Sequence, residues 1–192
     1  MVKYLQIMKE YMQAHQTPLL MRLHLTVLVL VISQILISEL IEFNDDGEIS
    51  QNFFEYYGTW IHMLTGMALI PISAIFITVV LKQRGIMYFC PSMSGSYEQV
   101  KKDLNELKRF KLPEASAHGI AATVQGLGMG ALSLVLLSGI LWFIAWNAGV
   151  SWSDGLKEVH EFMTGFIEAY VIGHGSMALL HVYFLQKTID GD

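Results

Sequence analysis

The chain is expected to fold as an all-α integral membrane protein, a four-helix bundle with both termini in the cytoplasm. Three observations lead there. Hydrophobic residues make up 53% of the 192-residue sequence and charged residues only 15%, against about 25% charged in an average soluble domain. The apolar residues are gathered into four long runs, near 18–41, 59–82, 118–146 and 160–186. Each is long enough for a bilayer core that needs roughly 20 apolar residues per helix. Finally, the basic residues fall almost entirely on one side of those runs. Nothing outside the runs is long enough for a separate soluble domain, so residues 1–192 are read as one membrane domain with lipid as its main surroundings.

The first 17 residues are mixed, with Lys3, Lys9, Glu10 and His15. The run that follows is full length and lacks a small-residue cleavage pattern, so it is expected to be retained as the first span rather than removed as a leader. Thr17-Pro18 supplies an N-cap and a first helical residue for it. Asn44-Asp45-Asp46-Gly47 is turn chemistry between the first and second spans. Pro71 lies inside the second span, where neighbouring helices can compensate the lost hydrogen bond. In the loop 83–117, Ser96 is placed to cap a short amphipathic helix over 97–110, with Val100, Leu104 and Leu107 on one stripe. That helix is expected at the headgroups or against a partner.

Orientation follows from charge. Lys82, Arg84, Lys101, Lys102, Lys108, Arg109 and Lys111 crowd the segment 82–117, and Lys3, Lys9, Arg22 and Lys187 share its side in an even topology. The other side has Lys157 alone against Glu42, Asp45, Asp46, Glu48, Glu55, Asp154 and Glu158. The positive-inside rule therefore puts the termini and the long loop in the cytoplasm, and Trp60, Trp142, Trp146 and Trp152 at the outer interface. The acidic outer segment 42–55 is either a solvated face or an attraction for a basic partner.

Seven histidines occur, and six fall in or at the edges of the runs: His24, His62, His118, His160, His174 and His181. Ionisable groups are costly in hydrocarbon and tend to face the bundle interior with a partner. His160 and His174 are 14 residues apart, close to four helical turns, so they share a face about 21 Å apart along the axis. His62 enters from outside at the depth of His160, and His24 enters from the cytoplasm at the depth of the inner histidines. Two facing imidazoles across a bundle are a way to hold a cofactor, and histidine is a standard haem ligand. The economical arrangement is two bis-histidine b-haem sites, His62 with His160 outside and His24 with His174 inside. By depth alone His181 competes with His174; a fourth helix projecting beyond the bilayer favours His174. Without C-x-x-C-H, and with Cys90 the lone cysteine, covalent c-type haem and an internal disulfide are both excluded.

Several glycines are placed to clear a flat macrocycle: Gly66 a turn after His62, Gly165 after His160, and Gly173 and Gly175 beside His174. Gly126, Gly128 and Gly130 open a face of the third span, for clearance or for close helix packing. Near the cytoplasmic end lie His118 and His181, together with Arg22 and Gln125. Glu161 and Glu168 form a second stripe on the fourth span. Glu168, near mid-membrane, is expected either to carry protons or to accept a hydrogen bond.

The pattern His24…His62…His160-x13-His174, with His62-x3-Gly66 and His160-Glu161, resembles the bacterial di-haem cytochrome b561 superfamily, which includes the cytochrome b subunits of formate dehydrogenases and hydrogenases. The resemblance covers roughly 18–186. It implies two haem b groups, His24 and His174 for the cytoplasmic-side haem and His62 and His160 for the periplasmic-side haem. It also implies a bacterial inner membrane and electron transfer between a redox partner, such as a dehydrogenase subunit or a basic periplasmic redox protein, and the quinone pool. His118 and His181, with Arg22 and Gln125, are then expected to border a quinone pocket or the propionates of the inner haem, because quinone reduction needs hydrogen-bond donors and protons, which histidine supplies near neutral pH. Leu25 after His24 departs from relatives that carry Trp there, which bears on subgroup rather than ligation. A superoxide:quinone oxidoreductase is the alternative within the resemblance, and the acidic outer loops argue against it because the anion would be repelled. A haem-free metal transporter or scaffold is the alternative outside it. Such sites gather three or four ligands within one or two turns, whereas these histidines sit at two depths. Nucleic acid is not an expected partner, and no catalytic residue is assigned.

Overall fold

A computed structural model describes residues 2–44, 47–95, 97–109, 111–113 and 116–190. The described residues form helices and connecting turns, and the one β feature among them is an isolated antiparallel bridge between Phe43 and Ile49. Four long helices carry the fold: α2 (Pro18–Ser38), α3 (Phe53–Arg84), α6 (Ile120–Asn147) and α7 (Ser153–Asp190). Shorter ones are α1 (Val2–His15), a 3-10 turn at Ile86–Phe89, the single-turn α4 (Pro91–Ser94) and α5 (Glu98–Lys108).

Local chemistry sets the ends. Thr17 caps α2 as expected, its hydroxyl accepting from Leu20 N at 3.4 Å with Pro18 in the first turn. α3 starts six residues before the expected boundary because the Asn52 side chain accepts from Phe54 N at 3.0 Å and caps an extra turn. Pro71 sits within that continuous helix. The turn from Asn44 to Gly47 closes with Gly47 N donating to Asn44 O at 2.9 Å, and Gly47 takes the left-handed φ of 74° that glycine tolerates. Asp45 and Asp46 lie outside the described residues.

Two expectations need correction. α6 starts at Ile120, not at 118, because His118 adopts a left-handed φ of 61° and Gly119 is the N-cap. The loop helix runs Glu98–Lys108 with Tyr97 at its N-cap; Ser96, the expected cap, and residue 110 lie outside the described residues. The stripe Val100, Leu104 and Leu107 is only partly covered, with Leu104 46% exposed. The residue that α5 does bury is polar. Asp103, 1% exposed, accepts from Ile120 N at 2.7 Å and from Gln99 Nε2 at 2.6 Å. It thereby supplies the side-chain cap that Gly119 cannot give to α6.

α2, α3, α6 and α7 share one core, with Val27 and Val31, Leu69, Leu132 and Val135, and Ile167 as their buried contributions. Outward-facing apolar residues are abundant instead of rare: Leu25, Val29, Ile32 and Leu36 form an exposed stripe on α2, and Leu127, Leu134, Leu137, Leu141 and Ile144 do so on α6. Stripes of this size on a bundle surface are fitted to lipid rather than to water. Three helices, α2, α3 and α6, are long and apolar enough to cross a membrane, with mean hydropathies of 2.1, 2.3 and 2.2. α7 is longer, at 38 residues, but its glycines, its histidines and Glu168 dilute the apolar run.

The two ends of the molecule differ. At one end Phe43, Ile49, Trp60, Met63, Trp142 and Trp146 pack together, and Trp146 Nε1 donates to Gly47 O at 2.9 Å. Trp142 is thus 8% exposed, part of a plug rather than of a loose belt, while Trp152 is 59% exposed. At the other end Gln83 Nε2 donates to Thr17 Oγ1 at 3.1 Å, and His181 Nε2 lies 3.4 Å from Pro113 O. The starts of α2 and α6, the end of α3 and the C-terminal part of α7 therefore gather there with α1, which packs on α7.

Candidate functional site

The four core helices bring the interior histidines together in two pairs. The rings of His62 on α3 and His160 on α7 lie 6.4 Å apart between centroids, at 77° to one another. Those of His24 on α2 and His174 on α7 lie 6.3 Å apart, at 55°. A metal atom between two imidazole nitrogens needs bonds of about 2 Å on each side plus half a ring, roughly 6 Å in all. Both pairs have that separation.

The first pair has a defined polarity. His160 Nδ1 lies 3.0 Å from Val135 O and 3.1 Å from Ser138 Oγ, both on α6. A carbonyl only accepts, so Nδ1 carries the proton and donates it, which leaves the Nε2 lone pair to face the interior. Gly139 makes this possible: a Cβ there would stand 2.8 Å from His160 Cε1. Around the pair is a largely apolar cleft, lined among others by Gln34, Gly66, Leu69, Val135 and Ile167. A second cleft joins it at the same two histidines and adds Thr59, Lys157, Glu161 and Glu168.

The second pair is more tightly furnished. Phe76 stacks on His24 at 5.9 Å and 19°, and Tyr170 on His174 at 5.1 Å and 12°. Tyr170 in turn fills the space that Gly128 leaves, where a Cβ would come within 2.2 Å of the phenol ring.

A family model described as prokaryotic cytochrome b561 matches residues 15–191, nearly the whole chain and all four histidines. The chain belongs to that family. No curated protein and no solved structure matches it. As a cytochrome b561 the protein is a membrane-embedded b-type cytochrome that takes part in electron transfer and binds haem b.

The residues fit that group. Among the described residues no set of three or more His, Cys, Asp or Glu is arranged to hold a bare metal ion. Each pair offers two ligands only, so a metal held there must bring its remaining ligands with it, as a haem does with its four ring nitrogens. Gly165, Gly173 and Gly175 face open space, as clearance beside a macrocycle requires, whereas Gly66 meets Gln34. On α6, Gly126 and Gly128 are packing positions, against Phe89 and Tyr170, and Gly130 is open.

The four residues expected at a quinone or propionate site are dispersed in their bonding. Gln125 Oε1 accepts from Arg84 Nη1 at 3.2 Å, and that guanidinium lies over Tyr88 at 5.2 Å. Arg22 is exposed on α2. His181 turns Nδ1 to Met177 O at 3.0 Å and Nε2 to Pro113 O. His118 is tied through its backbone, its N–H donating to Tyr88 O at 3.0 Å, while its Nδ1 is buried with no partner among the described residues. Glu161 pairs with Lys157 at 3.7 Å, and Glu168 lines the polar cleft beside the first histidine pair.

Sequence reasoning missed Val135, Ser138 and Gly139, which seat His160, along with Asp103 and the histidine contact of Gln16. A signal existed for the α6 set: Ser138-Gly139 is a small pair inside a bulky run at the depth of His160. None existed for Gln16, whose contact with His24 depends on how α1 turns into α2.

Proposed function

We propose that the protein is a di-haem cytochrome of the bacterial inner membrane that moves electrons between a redox partner and quinone. His62 and His160 would hold the periplasmic-side haem, His24 and His174 the cytoplasmic-side haem. The observation that carries this reading is the recurrence of one ring separation, 6.4 and 6.3 Å, in two pairs drawn from three helices. α7 crosses as the fourth span. At 38 residues it is about 57 Å long, enough to pass a core of about 30 Å and project beyond it. His174 is preferred to His181 because it faces His24, while both nitrogens of His181 face backbone carbonyls. The clustering of the basic loop with the starts of α2 and α6 supports the cytoplasmic placement of that end.

Bound haem supplies the one-electron chemistry, and two sites about 21 Å apart along α7 give an electron a route across most of the membrane. The chain's own residues orient the ligands, exclude water and provide protons at the ends. Val135 O fixes the His160 tautomer, and the apolar lining of the first cleft keeps solvent from it. His118 is the side chain we assign to quinone at the cytoplasmic end, because its buried Nδ1 has no protein partner among the described residues.

A redox-difference spectrum with haem quantified per chain tests the reading. Two low-spin b haems are expected, each lost on alanine substitution of its own histidine pair; one haem or none overturns it. His118→Ala should keep both haems and slow their reduction by an added quinol at least several-fold. An unchanged rate would remove His118 from the quinone site.

A further inference from the structure

We propose that Gln16 is a positioning residue for His24: its side-chain carbonyl accepts the Nδ1–H of the imidazole and so leaves Nε2 to face the inner site. The inference rests on the reading of His24 as a haem ligand.

The elbow between α1 and α2 places the amide. Gln16 N donates to Met12 O at 2.9 Å, carrying the α1 hydrogen-bond ladder one residue past its end, and Thr17 then caps α2. Only Gln16 and Thr17 link the two helices. α1 is held on α7, with Ile7 7% exposed. This short elbow brings the Gln16 amide to 3.4 Å from His24 Nδ1, measured at Nε2. Gln16 Oε1 is buried and has no hydrogen-bond partner among the described residues.

The two orientations of a carboxamide have nearly the same shape, and the hydrogen-bond network decides between them. With Nε2–H donating to Nδ1, the neutral His24 must carry its own proton on Nε2, the nitrogen that a metal would need. With the amide turned, Oε1 accepts from Nδ1–H and the Nε2 lone pair is free. Because Oε1 has no partner among the described residues, the turn breaks none of its bonds there. His160 shows the same arrangement from another source: there a backbone carbonyl, Val135 O, takes the Nδ1 proton. A ligating histidine generally donates its second N–H to such an acceptor, which fixes the ring and makes it a stronger electron donor. At His24 the acceptor is a side chain, so it can be changed without moving the main chain.

A stronger donor favours the oxidised metal and lowers its midpoint potential. The test is a potentiometric titration, followed by visible and electron paramagnetic resonance spectra, of the full-length protein and of Gln16→Leu and Gln16→Glu. The inner component is identified as the one absent from His24→Ala. Gln16→Leu, which removes the acceptor, should raise its midpoint, and Gln16→Glu, a stronger acceptor, should lower it. Each shift is expected to equal about a three- to tenfold change in the oxidised-to-reduced ratio, tenfold being about 59 mV for one electron. Haem content and the outer midpoint should not move. Two haems with an unmoved inner midpoint, or with a shift of the same sign in both variants, overturn the inference alone. A wild-type protein with no component that depends on His24 overturns both the inference and the di-haem reading.

Discussion

On the proposed di-haem reading, Gly139→Ala should weaken the outer site, His62 with His160, while sparing the inner one, His24 with His174. The added Cβ would stand 2.8 Å from His160 Cε1 and 3.1 Å from Nδ1, against the 3.4 Å at which ordinary contact begins. The shortfall is thus about 0.6 Å at Cε1, and the ring has little room to give. Its Nδ1 is bound to Val135 O and Ser138 Oγ on α6, the helix that carries position 139. Moving the imidazole away breaks those bonds, and keeping them leaves the clash. Either way Nε2 leaves its line toward His62. Loss of such an orienting partner weakens metal binding by about 10- to 100-fold. Purified Gly139→Ala protein, titrated with haemin and quantified by difference spectroscopy, should hold the inner haem fully and the outer one weakly. Ser138→Ala, which removes one hydrogen bond without adding bulk, should have a smaller effect in the same direction. Full occupancy of both sites in Gly139→Ala would show that His160 does not ligate from the position described, and the seating argument would fall.

Gly128→Ala should disturb the other site instead, since its Cβ would overlap the Tyr170 ring at 2.2 Å and that ring stacks on His174; a changed inner-haem resonance signal with an unchanged outer one is the expected result. Asp103→Ala removes the cap of α6 and should lower stability by about 1–2 kcal/mol. Thermal unfolding in detergent reads this loss, and the haem spectra should stay unchanged below the transition. One alanine inserted after Ala169 turns the rest of α7 by about 100° and advances it by about 1.5 Å. His174 then no longer faces His24, and haem content should fall from two per chain to one.

Most of the long-range arrangement was legible because membrane helices answer to few rules. Apolar runs located α2, α3 and α6 to within a few residues, apart from the extra N-terminal turn that Asn52 gives α3. A period of 3.6 residues put His160 and His174 on one face without knowledge of any neighbour. Pairing by depth then required only the up-and-down order of the helices. What stayed hidden was set by single polar contacts. The Asp103 carboxylate reads as one more charge on an amphipathic surface helix until its 2.7 Å bond to Ile120 N is seen. His118 reads as the first residue of a span, yet its left-handed φ places it in the turn before α6. α1 has no clean stripe, and its packing on α7 comes from tertiary contact rather than from local preference. Position alone marks Gln125 in the sequence, and the contact of its carbonyl oxygen with Arg84 Nη1 emerges only from the fold.

The two histidine pairs share α7 yet are built differently, and the difference follows from what surrounds each second nitrogen. On the outer side the acceptor is main chain, so α6 and α7 must keep their register for His160 to point inward. Gly139 allows the close approach that this register demands. On the inner side the Gln16 amide lies 3.4 Å from His24 Nδ1 and, in the proposed orientation, supplies the acceptor from an elbow outside the four-helix core, while flat rings stack on both histidines. The outer pair therefore has its orientation fixed by the packing that makes the bundle, beside clefts that reach polar groups such as Lys157 and Glu168. The inner pair depends on a side chain that can be exchanged without disturbing the core. On the proposed reading, one scaffold holds two chemically identical groups in unlike surroundings. Unlike surroundings are what give such groups different potentials, and so give electron transfer between them a direction.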